Sequence, residues 1–516
     1  MSVDTVEALI TEHELRVDFG ADVLAEADAH EASPGLDDPT LEDLTGLPFA
    51  TIDEVTSRDL DQALYVEADA ATGDFVAWYA IADAAHYVPV GSATFREALL
   101  RGATYYFPGR NVPMLPRTLS EGIVSLNPAV HRRALVWRMA VATDGHCTTT
   151  TLHRARIRSR AKLDYDGVQA WFDGQRPDPT DDPEVLASLR ALAQFGECRL
   201  AVAETRGVVQ IRRREVTVGL GDAGLRFVAQ GDERNDVERF NEQLSLLCNI
   251  EGARRLEEAE QRLPELVQPI FRVHRPPNED LLDRLAAQLK TLCAHHDLPV
   301  AQWVWSPDEG PSLAKFLDRL PVEQRVSQVV HRQVVMMNRA ATFETEPGPH
   351  HGVGASRYGR FSAPMREVVG VFLHQELAEA ARAKRSPLPA NFATPEALQQ
   401  AVIDAATTSR QRQRTIDRQL NRAALDQIFT DATTPLPATV MGVSRGRVHV
   451  QLDEPPIDAK VYFRHLSDRH GPLTADALGM AAHRADGTPL VVAGDSVQVR
   501  VLGRDAETDR WALDLG

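Results

Sequence analysis

The stretch Thr51-Ile52-Asp53-Glu54-Val55-Thr56-Ser57-Arg58-Asp59-Leu60-Asp61-Gln62-Ala63-Leu64 organises the chain. It leads directly into Tyr65-Val66-Glu67, which the pattern predicts to be a strand. Asp59 and Asp61 are two residues apart, so on an extended backbone both carboxylates leave on the same side. Asp53 lies six residues before Asp59, and a looped segment would return it to the same pocket.

Three converging carboxylates repel one another, which is unfavourable unless a cation neutralises them. Mg²⁺ is the ion best suited to several hard oxygen ligands, with Mn²⁺ as a substitute. Mg²⁺ between carboxylates and phosphate oxygens is a common arrangement in phosphodiester hydrolysis. Taken alone, the same acidic residues are also explained as solvated side chains of a surface loop.

The composition is that of a globular protein with one large domain and one or two small ones. The chain has 516 residues, of which 43% are hydrophobic and 25% charged. It contains no run of eighteen apolar residues and no basic export signal, so we expect a cytoplasmic protein that does not bind membranes. Four scattered cysteines without a CxxC motif imply neither a zinc site nor disulfides. No obligate protein partner is evident.

The net charge of −18 argues against a simple nucleic-acid-binding protein, which would be basic overall. A deep channel can nevertheless be basic on an acidic protein, because local charges determine the field that a ligand meets.

The pattern T-I-D-x5-D-x-D-x-A-L resembles the signature of the ribonuclease II (RNB) family of 3′→5′ exoribonucleases. The resemblance is nearly continuous from Thr51 to about Leu388 and includes the predicted buried strand Trp78–Val88. The segment Tyr358–Arg366 is similar to the family's Y-x-H-F-T-S-P-I-R. The resemblance implies an α+β fold, with a large RNB-type mixed catalytic domain followed by a small all-β S1-type OB barrel.

We expect three regions in the chain. Residues 1–47 form an acidic N-terminal lead, which is shorter than the roughly seventy residues of an OB domain. Residues 48–432 form the RNB catalytic domain, with predicted helices at 236–262 and 398–429. Residues 438–516 form the S1-like OB domain, with predicted strands at 439–443, 447–452, 460–463, 491–492 and 496–502.

The resemblance assigns roles to the motif residues. Mg²⁺ would be held by Asp53, Asp59, Asp61 and the neutral Gln62. Asp59 would complete the metal's ligand shell, and Asp61 would position or deprotonate the attacking water. Arg366, expected in the first turn of a helix after Pro364, would stabilise charge on the phosphate. Tyr106 would stack on the terminal base of single-stranded RNA.

Further RNA contacts are predicted from basic and aromatic side chains. Arg156, Arg158 and Arg160 recur at every second position, as on one strand face that could follow phosphates; a solvated strand edge is the alternative. Arg360 replaces the histidine usual in the family. In the S1-like domain the candidates are Arg445, Arg447, Tyr462, Phe463 and Arg464, and a plain barrel surface with scattered arginines is the alternative.

The chain also departs from the family pattern. Gln62 replaces the last acid of D-x-D-D, Glu367 replaces a basic residue, Gly370 replaces an acid, and Asp417 stands for a glutamate. Ile211 lies near the place of a second stacking aromatic. Three hypotheses therefore remain: a Mg²⁺-dependent exoribonuclease releasing nucleoside 5′-monophosphates down to a short oligonucleotide, a catalytically impaired RNA-binding adaptor, and a phosphodiesterase acting on short RNAs.

Overall fold

The structure is a computed structural model that describes residues 2–209, 215–221, 224–232, 234–321, 324–505, 508 and 510–516. The acidic motif Asp59–Asp61 lies between its second and third strands. The first third of the chain contains α1 (Ser2–Glu12), α2 (Ala21–Ala32), β1 (Glu42–Asp43), β2 (Ala50–Asp53), β3 (Gln62–Ala68), β4 (Phe75–Ala82), α3 (Ala84–Tyr87), α4 (Ala93–Arg101), β5 (Tyr105–Phe107), β6 (Arg110–Val112), β7 (His131–Val141), β8 (Cys147–Arg158) and β9 (Ala161–Asp164). The middle contains α5 (Tyr165–Phe172), α6 (Pro183–Thr205), β10 (Glu215–Gly221), β11 (Arg226–Asp232), α7 (Asp236–Arg262), β12 (Phe271–Val273), α8 (Glu279–His295), α9 (Val300–Trp303), α10 (Leu313–Leu317), α11 (Arg325–Met337), β13 (Thr342–Glu344), α12 (Val368–Arg382) and α13 (Pro395–Asp431). The last part contains β14 (Leu436–Ser444), β15 (Arg447–Leu452), β16 (Asp458–Tyr462), α14 (Phe463–His470), β17 (Leu473–Ala475), β18 (Ala481–Arg484), β19 (Pro489–Val492), β20 (Ser496–Asp505) and β21 (Arg510–Leu515).

A seven-stranded mixed sheet with the order β1-β8-β7-β4-β3-β2-β9 supports the motif. The central strand β4 is buried along most of its length, as its apolar sequence predicts. The predicted strand Trp78–Val88 is too long, however, because β4 ends at Ala82 and a short helix follows. The break falls at the buried Asp83, whose carboxylate accepts two hydrogen bonds from Arg154, at 2.8 and 2.9 Å.

The long helices α7 and α13 carry side chains towards the candidate site, and each begins with an N-cap residue. In α7 the Asn235 side chain accepts a hydrogen bond from the Glu238 N–H (3.0 Å), and the Glu238 carboxylate accepts one from the Asn235 N–H (2.7 Å). Helix α13 begins with Pro395 after the cap residue Thr394. The helices predicted at 236–262 and 398–429 are thus confirmed.

The C-terminal part is a mainly β unit with the sheet order β16-β15-β14-β20-β21 and a second, three-stranded sheet β17-β18-β19, and it is not all-β as predicted, because the helix α14 lies between β16 and β17. The α+β class predicted from the sequence is confirmed. The unit packs on α13, where Trp511 Nε1 donates to Asp426 Oδ1 (2.7 Å) and the Trp511 ring meets Phe429. None of the helices that the structure describes has the length and apolarity needed to span a bilayer.

A buried carboxylate in α12 makes the stability of the fold depend on pH. Glu376 is 2% exposed, and burial is the main cause that raises its pKa to about 8. Because the folded pKa exceeds the unfolded value, Glu376 contributes most stability at low pH and loses it as pH rises towards about 8. We expect the free energy of unfolding of Glu376→Gln to be about 1–3 kcal/mol higher than that of the wild type near pH 8, and nearly equal to it near pH 5.

Denaturant titrations at the two pH values test this expectation. The exposed Glu309 provides a matched control, because Glu309→Gln removes one charge without changing a buried group. If the free energy of unfolding changes with pH in the same way in the wild type and in Glu376→Gln, the raised pKa of Glu376 is contradicted.

Candidate active site

Asp59 and Asp61 lie in the loop that joins β2 to β3, on either side of the buried Leu60. The Leu60 N–H donates to Ser125 Oγ (3.0 Å), and the Asp61 carbonyl accepts from the Ala82 N–H (2.8 Å). Anchoring Leu60 in the core leaves its two acidic neighbours to face the same positive charge. The spacing of two residues therefore brings both carboxylates into one site, as predicted.

That positive charge is Arg366, a partly exposed arginine that forms an ion pair with the buried Asp61. Arg366 Nε donates to Asp61 Oδ2 (2.6 Å), and the Met365 N–H donates to Asp61 Oδ1 (2.9 Å). Burial raises the pKa of Asp61 to about 6, although Arg366 and the Met365 N–H both lower it. Each Asp61 oxygen already accepts a hydrogen bond from the protein, so Asp61 is placed to orient Arg366.

The predicted position of Arg366 within a helical first turn is wrong. Helix α12 begins at Val368, and Glu367 before it is extended. The reason is a short antiparallel contact: the Arg366 carbonyl accepts from the Thr104 N–H (3.0 Å), and the Val368 N–H donates to the Gly102 carbonyl (3.0 Å). This pairing delays the helix and holds the Arg366 backbone beside the segment that leads to Tyr106.

Asp53 and Asp59 add further negative charge. Asp53 ends β2, where its Oδ1 accepts from Ser57 Oγ (2.9 Å). Burial is the largest cause that raises the pKa of Asp59; the charges of Asp53 and Glu121 raise it further, and Arg366 lowers it. Negative charge in this pocket therefore exceeds what Arg366 compensates.

The three carboxylates face one pocket but are not drawn tightly together. Their oxygens do not all lie within 4.8 Å of one another; in the described ranges, only His295, His296 and Asp495 form such a group, and they lie between α8 and the C-terminal unit. The donor chemistry still fits Mg²⁺, because Asp53 and Asp59 offer hard carboxylate oxygens and Gln62 an amide oxygen.

Gln62 is oriented by the second motif, the segment Tyr358–Arg366. Its amide nitrogen donates to the Ser362 carbonyl, so the amide oxygen is the atom left for the pocket. Asn249 of α7 holds this second motif: its Oδ1 accepts from the Phe361 N–H (2.6 Å) and the Ser362 N–H (3.1 Å), and its Nδ2 donates to Tyr358 Oη (3.0 Å). Sequence reasoning gave Asn249 no role in the site. The signal that could have identified it is its position as a polar residue on the apolar, buried face of α7.

Tyr106 reaches the site from the β5–β6 hairpin. The side chain of Gln413 in α13 accepts from the Tyr106 N–H (3.0 Å) and donates to its carbonyl (3.1 Å). Burial raises the pKa of Tyr106, and Arg366 lowers it through its charge and a hydrogen bond. The residue is still 45% exposed, so it is not a core aromatic. Ile211, considered for the opposite side of the base, lies outside the described residues.

Two departures from the family pattern have structural explanations. Glu367 binds Arg360 through two hydrogen bonds (3.0 and 2.8 Å) and also Arg410 (2.9 Å), which lowers the pKa of Glu367 to about 2 despite its burial. Arg360 is therefore engaged by Glu367. A Cβ at Gly370 would lie 2.9 Å from the Pro364 backbone, so glycine allows α12 to pack against this turn.

The basic strand face predicted from Arg156, Arg158 and Arg160 is wrong, because β8 ends at Arg158 and β9 begins at Ala161 on the opposite edge of the sheet. Arg156 pairs with Asp43 (2.6 Å), and Arg160 pairs with Asp182 (3.0 Å) and Glu184 (2.8 Å). These contacts attach neighbouring segments to the sheet, whereas Arg158 remains exposed.

Most of the candidate residues of the C-terminal unit lie on its surface. Tyr462 pairs in register with Arg447, and Arg464 lies over its ring at 5.1 Å. Arg445 is exposed in the turn between β14 and β15. Phe463 is different: it starts α14 rather than ending a strand, and it is 7% exposed in the core of the unit. Because its ring is buried, we no longer expect Phe463 to stack on RNA.

Comparison with known proteins identifies relatives across most of the chain. The family model described as RNB domain matches residues 41–383. Exoribonuclease 2 of Erwinia tasmaniensis is 31% identical over 423 residues, which cover 80% of this chain and 61% of that protein. The chain thus spans about three fifths of the length of this curated relative.

Solved structures agree on the fold. Mycoplasma genitalium RNase R in complex with ribose methylated single-stranded RNA matches with a TM-score of 0.86 at 21% identity, covering 100% of this chain and 78% of that one. Yeast Ssd1, described as a pseudonuclease, matches with a TM-score of 0.63 at 14% identity, covering 92% of this chain and 54% of that one. An RNase R and a protein described as a pseudonuclease share this architecture, so the fold alone does not decide activity.

Proposed function

Because the chain belongs to the RNB family, we propose that it is a 3′→5′ exoribonuclease that hydrolyses single-stranded RNA to nucleoside 5′-monophosphates with Mg²⁺, ending at a short oligonucleotide. One observation carries the proposal: the ion pair between the buried Asp61 and Arg366 lies beside Asp59 and Tyr106, so that three distant segments of the chain meet in one pocket. A phosphate clamp, an acidic group and an exposed aromatic ring in one pocket are the parts that this reaction needs.

Arg366 would stabilise the negative charge that develops on the scissile phosphate. Its Nε is committed to Asp61, so the guanidinium is held in one orientation, and N–H groups of its terminal nitrogens can donate to phosphate oxygens. The Asp61 carboxylate also keeps the guanidinium charged, since it raises the pKa of Arg366 against the effect of burial. The Tyr106 ring would support the terminal base.

Asp59 is the better candidate for the group that accepts a proton from the attacking water. Asp61, which sequence reasoning preferred, has hydrogen bonds on both oxygens, whereas Asp59 is partly exposed and can be reached by water. When bound by the oxygens of Asp53, Asp59 and Gln62, Mg²⁺ would neutralise charge on the phosphate.

Restoring an acid at position 62 is expected to strengthen the dependence on Mg²⁺. Gln62→Asp adds a charged oxygen ligand, so the Mg²⁺ concentration for half-maximal activity should fall about three- to tenfold relative to Gln62→Asn. Gln62→Asn is the matched control, because it shortens the side chain equally and stays neutral. Identical Mg²⁺ titrations of the two variants would show that position 62 is not a ligand.

The proposal is tested with 5′-labelled single-stranded RNA incubated with the full chain, in Mg²⁺ or in EDTA. We expect a metal-dependent ladder that collapses to one short product. Labelled mononucleotide appearing first would indicate attack from the 5′ end, and labelled fragments of a few lengths without the steps between them would indicate an endonuclease; either result would overturn the proposal.

A second candidate is an RNA-binding protein without hydrolytic activity. It is favoured by Gln62, which is neutral where the family pattern has an acid. The amide nitrogen of Gln62 is also already bound to the Ser362 carbonyl. Under this alternative the RNA stays intact in Mg²⁺ while a complex forms. The same gel distinguishes the two functions.

A further inference from the structure

A second group of polar side chains converges where α8 meets the C-terminal unit. One ring nitrogen each of His295 and His296 and one carboxylate oxygen of Asp495 all lie within 4.8 Å of one another. Throughout the part of the chain that the structure describes, no other three histidine, cysteine or acidic side chains bring their donor atoms so close together. Neither the sequence motifs nor the proposed hydrolysis uses these three residues.

The two histidines face the same turn because the helix ends between them. Successive residues of a helix point in directions about 100° apart, so adjacent side chains do not normally share a partner. His295 is the last residue of α8, whereas His296 is its C-cap, with φ −95° and ψ 8°. Their rings are nearly perpendicular, at 87°, with centroids 4.6 Å apart. The backbone thus leaves the helix at the residue where it must for both rings to reach the turn between β19 and β20.

Hydrogen bonds orient each member of the group. His296 Nε2 donates to the Ala493 carbonyl (2.8 Å), which can only accept, so the neutral ring keeps a lone pair on its other nitrogen. Asp495 Oδ2 accepts from the Val492 N–H (2.7 Å), and its Oδ1 is bonded to His295 Nε2 (2.9 Å). Metal-binding histidines and carboxylates are characteristically held by such outer partners, which fix the tautomer and the direction of the lone pair.

The turn that supplies Asp495 is itself firmly anchored. The Gly494 N–H donates to the Val440 carbonyl (2.7 Å), and the Val440 N–H donates to the Asp495 carbonyl (2.9 Å). Gly494 has a φ of +94°, and a Cβ at this position would lie 2.6 Å from His296 Nε2. Glycine therefore allows the turn to approach the imidazole closely. Donors held in this way lose little freedom when an ion binds.

The donor types identify the class of ion. Imidazole nitrogen suits Zn²⁺, Ni²⁺ and Cu²⁺, whereas Mg²⁺ and Ca²⁺ prefer sites made of oxygen alone. Zn²⁺ held by three protein ligands of this kind completes its tetrahedron with a water molecule. The group thus differs in chemistry from the acidic pocket of the candidate active site.

We propose that His295, His296 and Asp495 bind one divalent transition cation of the Zn²⁺ class, with water as the fourth ligand. When the ion binds, His295 Nε2 releases to solvent the proton that it shares with Asp495. The ion then ties the end of α8 to the β19–β20 turn. Leu292 of α8 and Ala493 of the turn already belong to one apolar core, so the ion reinforces a packed junction between α8 and the C-terminal unit.

The test measures Zn²⁺ binding to the full-length protein by calorimetry, with Mg²⁺ in large excess to occupy sites made of oxygen ligands. We expect about one Zn²⁺ per chain, bound at least about tenfold more weakly by His295→Gln and by Asp495→Asn. Co²⁺ in place of Zn²⁺ should give the intense visible absorption of a tetrahedral ion in the wild type and not in the two variants. Zn²⁺ should also raise the Tm of the wild type more than that of either variant, because the ligands come together only in the folded chain.

His146→Gln is the matched control, because exposed His146 also lies beside an aspartate, Asp144, at 3.3 Å, and no third donor joins them among the described residues. It should bind Zn²⁺ as the wild type does. His295 is exposed, so His295→Gln reports on binding rather than on folding.

A wild type that binds no Zn²⁺ in excess Mg²⁺ would overturn the inference. Unchanged binding in both His295→Gln and Asp495→Asn would also overturn it, because the ion would then lie elsewhere. An equal loss in His146→Gln would overturn it as well, since it would indicate only scattered binding to surface histidines. These measurements involve no RNA, so their outcome is independent of the proposed hydrolysis.

Discussion

Asp61→Asn is expected to reduce kcat by about 10²–10⁴-fold while leaving the affinity for single-stranded RNA nearly unchanged. Asparagine has almost the same shape, and its oxygen can still accept the Met365 N–H. Its NH₂ group would then face Arg366 Nε, and two donors cannot hydrogen bond to each other. Arg366 would lose both its orienting partner and the adjacent negative charge.

Single-turnover hydrolysis and binding in EDTA, measured on the same preparation, separate these effects. Glu97→Gln is a suitable control, because Glu97 is also a buried acid that binds two arginines, Arg16 and Arg101, but lies in α4 away from the motif. Retained turnover in Asp61→Asn would show that the ion pair is structural only.

Arg366→Gln is expected to lower kcat by about 10²–10³-fold, as for loss of a principal donor to developing charge. Arg366→Lys should recover little, because an ammonium group cannot bind Asp61 through Nε and a phosphate through a second nitrogen at once. Removing Arg366 also leaves the buried Asp61 charge without its partner, so we expect lower stability as well.

A double-mutant cycle distinguishes lost catalysis from lost folding. Since Asp61 acts through Arg366, the double variant Asp61→Asn/Arg366→Gln should lose little more activity than Arg366→Gln alone. It should also be more stable than Arg366→Gln, because no buried charge remains unpaired. Additive losses in kcat would mean that the two residues act independently.

Features that depend on neighbours in the chain were predictable. The helices α7 and α13 and the alternating C-terminal strands follow from side-chain types at fixed short spacings. Three of the wrong predictions share one cause. Strand β4, the face at Arg156–Arg160 and the start of α12 each end or begin where a segment distant in the chain supplies a hydrogen bond or an ion pair.

The sequence by itself determined the family, the α+β architecture and the motif residues of the candidate site, because these depend on local motifs and their order. Only the tertiary structure decided how those residues are engaged: Asp61 binds Arg366 with both oxygens occupied, Gln62 binds Ser362, and Glu367 binds Arg360 and Arg410. The physical reason is that ionic and polar partners within a buried pocket are chosen by packing between distant segments. The spacing of residues along the chain therefore does not predict which partners they bind.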